Sequence, residues 1–251
     1  MSDGIFLNGV SFRYSGSDGD SLSNISFHIP KGSFFGITGS NGSGKTTLAY
    51  ILNGLIPNEI DGYLEGQVTI DGNSTSELSL LDIAKKVGFV FQNPEHMIFN
   101  LSVYEEIEFG LKNFNHQNIP LKISEALKVV GLEGYEKRDP NELSLGQKQK
   151  VCIASILALN PEYIILDEPS SMLDFRSSLN LYNTLQKISK SGKTVIVIEH
   201  DTDFILTYAD HCLILNNAKL ESFGKSEEVL SERRKLQNLG IKIPRKITEE
   251  I

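Results

Sequence analysis

Hydrophobic positions change their period along the chain, and the changes mark the elements. Residues 6–12 and 25–29 alternate apolar and polar, and residues 33–38 form a short apolar run, so the first forty residues read as three strands. A glycine-dense loop follows, and residues 46–53 (Thr-Thr-Leu-Ala-Tyr-Ile-Leu-Asn) turn helical. Residues 66–70 predict a strand closed by the turn pair Asp71-Gly72, and residues 86–92 a further strand. From 93 to about 160 the period is helical. Ser102 stands three residues before Glu105, a capping-box spacing ahead of Ile107 and Leu111. Residues 124–130 carry an apolar stripe stopped by Gly131, and residues 144–159 predict a long helix ended by Asn160-Pro161. Strand and helix then alternate: strand 163–166, helix 177–190, strand 194–198, a short helix, strand 212–215.

This alternation predicts an α/β fold with a mostly parallel sheet and crossover helices. Residues 1–240 are expected to form one domain, with a helical subdomain inserted at about 93–160. The tail 241–251, with Pro244 and mixed charges, is too short for a domain. Neither an internal repeat nor a low-complexity linker interrupts the chain.

Composition narrows the partners. The 251 residues carry 24 Lys plus Arg against 32 Asp plus Glu, a net charge of −8 with no basic block, which argues against a nucleic-acid partner. Cys152 and Cys212 lie in apolar runs and read as small buried thiols. No apolar stretch approaches the ~18 residues of a membrane span, and the N-terminus lacks the pattern of a signal peptide, so a cytosolic chain is expected. Docking to a membrane partner remains compatible with that.

Chemistry enters at Gly39-Ser40-Asn41-Gly42-Ser43-Gly44-Lys45-Thr46, which fits G-x-x-x-x-G-K-[ST] between a predicted strand and a predicted helix. Glycines let backbone N–H groups turn inward around phosphate oxygens, and a helix N-terminus adds partial positive charge. Lys45 is suited to the β- and γ-phosphates and the Thr46 hydroxyl to Mg²⁺. Downstream, Tyr163-Ile164-Ile165-Leu166-Asp167-Glu168 is an apolar strand delivering two carboxylates at its C-terminal end, the edge where open α/β sheets bind ligands. Asp167 is the candidate Mg²⁺ ligand and Glu168 the candidate base for an attacking water.

These residues resemble the ATP-binding cassette (ABC) family over nearly the whole chain. Leu143-Ser144-Leu145-Gly146-Gln147 is similar to its L-S-G-G-Q signature, with Leu145 replacing the first glycine. Gln92 matches the glutamine loop, Ser171-Met172-Leu173-Asp174 the D-loop, His200 the switch histidine, and Tyr14 the aromatic that stacks on adenine. The resemblance implies a P-loop NTPase fold of ABC type, with an antiparallel N-terminal β part beside the parallel core. It implies ATP hydrolysis with Glu168, His200 and Gln92 as catalytic residues, and Thr46, Gln92 and Asp167 around Mg²⁺. Tyr14, residues 39–46 and Thr47 would hold ATP. It further implies a head-to-tail dimer of ABC ATPase subunits, in which Ser144, Gly146 and Gln147 of one cover the ATP of the other and Asp174 lies at the junction.

A finer match is Phe91-Gln92-Asn93-Pro94-Glu95-His96-Met97-Ile98-Phe99, then Ser102-Val103-Tyr104-Glu105-Glu106-Ile107-Glu108-Phe109-Gly110. It is similar to ATPase subunits of energy-coupling factor and cobalt/nickel importers, with Met97 where those usually carry glutamine. Asn53-Gly54-Leu55-Ile56-Pro57, ahead of a longer insert, leans towards the vitamin-type members. The expectation is an ATPase on the cytoplasmic face of the membrane. It would be docked through residues 93–109 to integral membrane subunits that import a vitamin or a metal ion, with Glu95, Glu105, Glu106 and Glu108 as an acidic rim. The alternative is a soluble ABC ATPase, such as one serving iron–sulfur cluster assembly.

Overall fold

A computed structural model describes residues 3–245. The chain begins β1 (Gly4–Tyr14), β2 (Leu22–Pro30), β3 (Phe34–Gly39), α1 (Lys45–Leu52), α2 (Leu55–Asn58), β4 (Gly62–Ile70) and β5 (Asn73–Ser74). It continues α3 (Leu80–Lys86), β6 (Val87–Val90), α4 (Val103–Asn113), α5 (Ile119–Val130), α6 (Leu145–Ala158), β7 (Tyr163–Asp167) and α7 (Phe175–Lys190). It closes with β8 (Thr194–Ile198), α8 (Thr202–Tyr208), β9 (His211–Asn216), β10 (Lys219–Lys225), α9 (Ser226–Val229) and α10 (Arg233–Asn238).

Two sheets form. The first runs β2-β1-β4-β5 and is antiparallel; the second runs β10-β9-β3-β8-β7-β6 and is parallel except for its edge strand β10. Its central strands are buried on both faces, which is why they read as unbroken apolar runs. Alternate residues serve different layers: Ile164, Leu166, Val195 and Val197 pack under α4–α7. Tyr163, Ile165, Ile196 and Ile198 pack towards α1 and the antiparallel sheet. Truncating any of them to Ala is expected to cost roughly 2–5 kcal/mol. Pairing of Ile37 and Asp167 with Ile198 levels the C-terminal ends of β3, β7 and β8 along one edge, and that edge positions the site.

Several boundaries differ from the sequence reading for identifiable reasons. The alternation over residues 6–12 does not continue in one phase. A register shift between Asn8 and Ser11 puts Ile5, Leu7, Val10 and Phe12 on the core side, while Phe6 leaves it to stack on His28 at 5.5 Å. Strand β4 begins four residues before the predicted strand, because its first half is largely exposed and lacks an apolar period. Lys86 ends helix α3 rather than opening a strand. Strand β10 and helices α9 and α10 follow strand 212–215 without a sequence signal: the turn between β9 and β10 places Asn217 and Ala218 at φ 45° and 64°, without the glycine that usually marks such a hairpin.

Both cysteines are buried, and burial pushes each thiol up to about 12. No helix among the described residues is long and apolar enough to cross a membrane. The tail reading extends beyond the described residues at 246–251; before that, Ile241 is buried and the Lys242 carbonyl accepts a hydrogen bond from Thr202 at 2.8 Å.

Candidate active site

Strand β3 ends at Gly39 and α1 starts at Lys45, so residues 40–44 turn between two buried elements. Gly44 sits at φ +100°, and a Cβ there would lie 2.3 Å from the Ser21 carbonyl oxygen, which makes glycine obligatory. It caps α1 with no side-chain hydrogen bond, leaving the first-turn N–H groups without a capping acceptor, as an anion seat requires. Lys45 is buried. Its Nζ donates to the carbonyls of Gly39 at 3.1 Å and Ser40 at 2.9 Å. Burial holds this amine below the usual lysine range, with the charges of Glu168 and Asp167 opposing.

A cleft of about 380 Å³ opens over this loop, lined by Ser21, residues 41–47, Glu168 and His200. A neighbouring cleft of about 750 Å³ carries Gln92, Glu168 and His200 together with Leu239, Gly240, Ile241 and Lys242.

The strand ends supply the reactive groups. Asp167 is 7 % exposed, and desolvation, with the charge of Glu168 adding, pushes its carboxyl up to about 6. Its Oδ1 is buried with no hydrogen-bond partner, and the Thr46 hydroxyl lies beside it. An orphaned carboxylate oxygen beside the hydroxyl of a phosphate-loop threonine fits a hard cation such as Mg²⁺. Glu168 occupies φ +45°, unusual outside glycine, and its N–H bonds the Ile198 carbonyl at 3.0 Å. Its Oε1 lies 2.8 Å from His200 Nε2, and its Oε2 accepts a hydrogen bond from Gln92 Nε2 at 2.8 Å. Gln92 Nε2 also reaches Ser171 Oγ at 3.3 Å. Gln92, Glu168 and His200 therefore converge from the ends of β6, β7 and β8.

Other predicted residues lie elsewhere. Ser144, Gly146 and Gln147 start α6 and line neither cleft. Ser144 and Gln147 form a closed capping box, Ser144 N–H to Gln147 Oε1 at 3.0 Å and Gln147 N–H to Ser144 Oγ at 3.4 Å. Gln147 Nε2 also donates to the Tyr135 hydroxyl at 3.1 Å. Asp174 caps α7 by accepting from Ser177 N–H at 2.8 Å. Tyr14 is joined to α1 through Thr47, hydroxyl to hydroxyl at 3.0 Å, and meets Phe12 edge-on.

In residues 93–109 the acidic rim needs correction. Glu106 is buried, and its Oε2 accepts from the N–H groups of Phe99 and Asn100 and from Asn100 Nδ2, each within 3.1 Å. A carboxylate that closes a loop from inside is unavailable to a partner. Glu95 is on the surface and pairs with Lys148 of α6 at 2.6 Å. Val103 and Ile107 are core; Phe99, Leu101 and Phe109 are exposed at 64, 78 and 47 %, with Phe99 and Phe109 edge-to-face at 4.9 Å.

Two site neighbours escaped the sequence reading. Glu199 is buried next to His200, and Ser170, two residues past Glu168, bonds it. A carboxylate ending a fully buried strand was the available signal for Glu199; residues 239–242 had none.

Comparison with known proteins completes the picture. The family model described as "ABC transporter" matches residues 22–171. A putative ABC transporter ATP-binding protein of Pyrococcus abyssi is 39 % identical over 97 % of this chain and 88 % of its own length. The energy-coupling factor transporter ATP-binding protein EcfA1 of Streptococcus mutans is 41 % identical over 97 % of this chain and 87 % of its own. Among solved structures, CbiO1 of Clostridium perfringens, described as part of the ABC transporter complex CbiONQ, matches with a TM-score of 0.84 at 28 % identity, over 100 % of both chains. A dimeric ATP-binding cassette in a post-hydrolysis state bound to ADP and Pi matches with a TM-score of 0.76 at 30 % identity, over 88 % of this chain and 98 % of its own.

Proposed function

This chain belongs to the ABC transporter family and hydrolyses ATP, and from that premise we propose that it energises a membrane importer of energy-coupling factor type. Residues 1–240 act as one ATPase domain, with residues 93–160 as its helical subdomain. Residues 39–47 hold the phosphates, Lys45 exchanging its bonds to the Gly39 and Ser40 carbonyls for phosphate oxygens. Tyr14 meets the adenine. Thr46, Asp167 and Gln92 would hold Mg²⁺, which when bound would offset charge on the phosphates.

Glu168 accepts a proton from water as the water oxygen bonds the γ-phosphorus and the bond to the β–γ bridging oxygen breaks, releasing ADP and phosphate. His200 lies against Glu168 Oε1 and Gln92 donates to Oε2, which leaves a further lone pair on each oxygen to accept the water proton. His200 keeps the carboxylate aimed.

The phosphate loop and the α6 N-terminus of one chain do not share a cleft, which supports a head-to-tail pair sandwiching two ATP. Ser144, Gly146 and Gln147 then cover the partner's ATP, with Leu145 beside it and Asp174 at the junction. The Ser144 hydroxyl, which only accepts in the capping box, has its proton free for the γ-phosphate, and the Ser144 N–H becomes free when its bond to Gln147 Oε1 opens.

The observation that carries the importer reading is continuity. Gln92 touches Glu168, and the same segment runs directly into the exposed cluster Phe99, Leu101 and Phe109. Movement at the nucleotide thus reaches an apolar surface suited to a membrane subunit. The chain is placed on the cytoplasmic face, held peripherally, and a vitamin or transition-metal ion is the cargo class. Affinity purification of the tagged chain from detergent-solubilised membranes tests this: co-purifying multispanning subunits support it. Recovery with soluble iron–sulfur assembly proteins alone overturns it.

A further inference from the structure

Glu199 stands where the three strands of the site meet, yet neither the motifs nor the chemistry above uses it. Its side chain is 3 % exposed. Its backbone N–H donates to the Ile37 carbonyl at 2.9 Å, two residues before the phosphate loop. Its Oε1 accepts from Ser170 Oγ at 2.5 Å and from Ser170 N–H at 3.3 Å; its Oε2 accepts from His200 N–H at 3.2 Å. One carboxylate thus ties the chain two residues after Glu168 to the backbone of the residue that contacts Glu168.

Groups facing a buried carboxylate must all be donors, and these three are; the Asp201 N–H and the Tyr182 hydroxyl, which also face Glu199, are donors too. An ionised carboxylate is acceptor-only, so it satisfies them without a donor of its own to place. A neutral amide cannot: its Nε2 would face an N–H group, donor against donor, and one side of the bridge would open. Loss of a hydrogen bond to a buried group is felt as displacement of whatever it held. Here that is the His200 main chain on one side and residue 170 on the other. Glu168, at φ +45°, lies two residues before Ser170 and touches His200.

We propose that Glu199 is a positioning residue for ATP hydrolysis: by bridging Ser170 and His200 it holds the His200–Glu168 pair at its 2.8 Å contact. The proposal rests on the reading of Glu168 and His200 given above. It makes Glu199 act through His200 and not on nucleotide affinity, since no part of its side chain lines either cleft. Substrate binding and hydrolysis should therefore separate.

The test is steady-state ATPase kinetics of the full-length chain with Mg²⁺ for Glu199→Gln, Ser170→Ala, His200→Ala and the double variant Glu199→Gln/His200→Ala. Glu199→Gln should lower kcat about tenfold with KM for ATP within about twofold of wild type, the signature of misplacement and not of lost binding. Ser170→Ala, which removes one donor from a half-buried site, should show the same split at smaller size. In the His200→Ala background, Glu199→Gln should produce no further loss in a single-turnover measurement, because the group it positions is gone. Wild-type kcat in Glu199→Gln beside a slow His200→Ala contradicts the positioning role alone. Wild-type kcat in His200→Ala instead contradicts the reading of the site on which it rests. Should Glu199→Gln not fold, Ser170→Ala decides: unchanged kcat overturns the proposal, and lowered kcat at constant KM supports it.

Discussion

Glu168 and His200 meet at 2.8 Å across the ends of two parallel strands that pair directly, Asp167 opposite Ile198. Strand register brings the two loops that carry these residues side by side, one residue past β7 and two past β8. His200 is 43 % exposed at its side chain, open to a phosphate arriving in either cleft. Replacing His200 with Ala should lower kcat by about 10²-fold while leaving ATP affinity nearly unchanged, the size expected for losing one positioned group in proton transfer. Steady-state kinetics alongside equilibrium ATP binding checks this.

Lys45 is buried among carbonyl acceptors and carboxylates, a place where a neutral side chain cannot stand in. Lys45→Met keeps the length and removes the charge. It should weaken ATP binding by at least about 2 kcal/mol, some thirtyfold, measured with a fluorescent ATP analogue. Unchanged affinity would remove Lys45 from the phosphate seat.

Asp167 predicts a pH dependence with a definite sign. Its carboxyl is raised from the ordinary 3.8 to about 6, chiefly by desolvation. Between those values the folded protein keeps a proton that the unfolded chain has released, so the nucleotide-free protein loses this contribution to stability as pH rises through the window. Mg²⁺ needs the ionised form. Binding of Mg²⁺–ATP should therefore release a proton near pH 5.5 and none attributable to Asp167 near pH 7.5, as read by calorimetry in buffers of different ionisation enthalpy. Asp167→Asn should abolish the difference. Equal proton release at both pH values in the wild type would contradict the assignment.

Glu106 and Glu95 should separate stability from docking. Glu106→Gln disturbs a buried carboxylate that accepts three hydrogen bonds and should cost roughly 1–3 kcal/mol in thermal or urea unfolding. Glu95→Lys with Met97→Ala breaks the Glu95–Lys148 pair, the hydrogen bond from the Phe91 N–H to Met97 Sδ at 3.4 Å and a partly buried apolar contact. It should leave the ATPase activity of the isolated chain intact and reduce co-purification with the membrane subunits. Normal assembly by this variant would move the docking surface elsewhere.

The parallel core was legible because its strands are buried on both faces: residues 163–166 and 194–198 announce themselves as apolar runs of strand length. The places of Lys45 at the start of α1 and of Asp167 and Glu168 at the end of β7 were legible because a glycine-dense turn and an apolar run mark those element ends. Glu106 was misread because a Glu in the first turn of an amphipathic helix looks solvent-facing; only the loop of Phe99 and Asn100 folding back over it reveals a buried cap. Phe6 was misplaced by a bulge, which leaves no trace in periodicity. Glu199 and Ser170 were passed over since their pairing spans 29 residues and belongs to no local pattern.

The central claim is that this chain hydrolyses ATP at the Glu168 carboxylate. The most direct measurement is the fate of bound nucleotide in Glu168→Gln, incubated with Mg²⁺ and radiolabelled ATP, separated from free nucleotide and analysed by chromatography. The amide keeps the shape and, through its oxygen, the contact with Gln92, but loses the proton acceptor. The variant should retain ATP while the wild type, treated identically, holds ADP. Conversion of bound ATP to ADP by Glu168→Gln at the wild-type rate would contradict it.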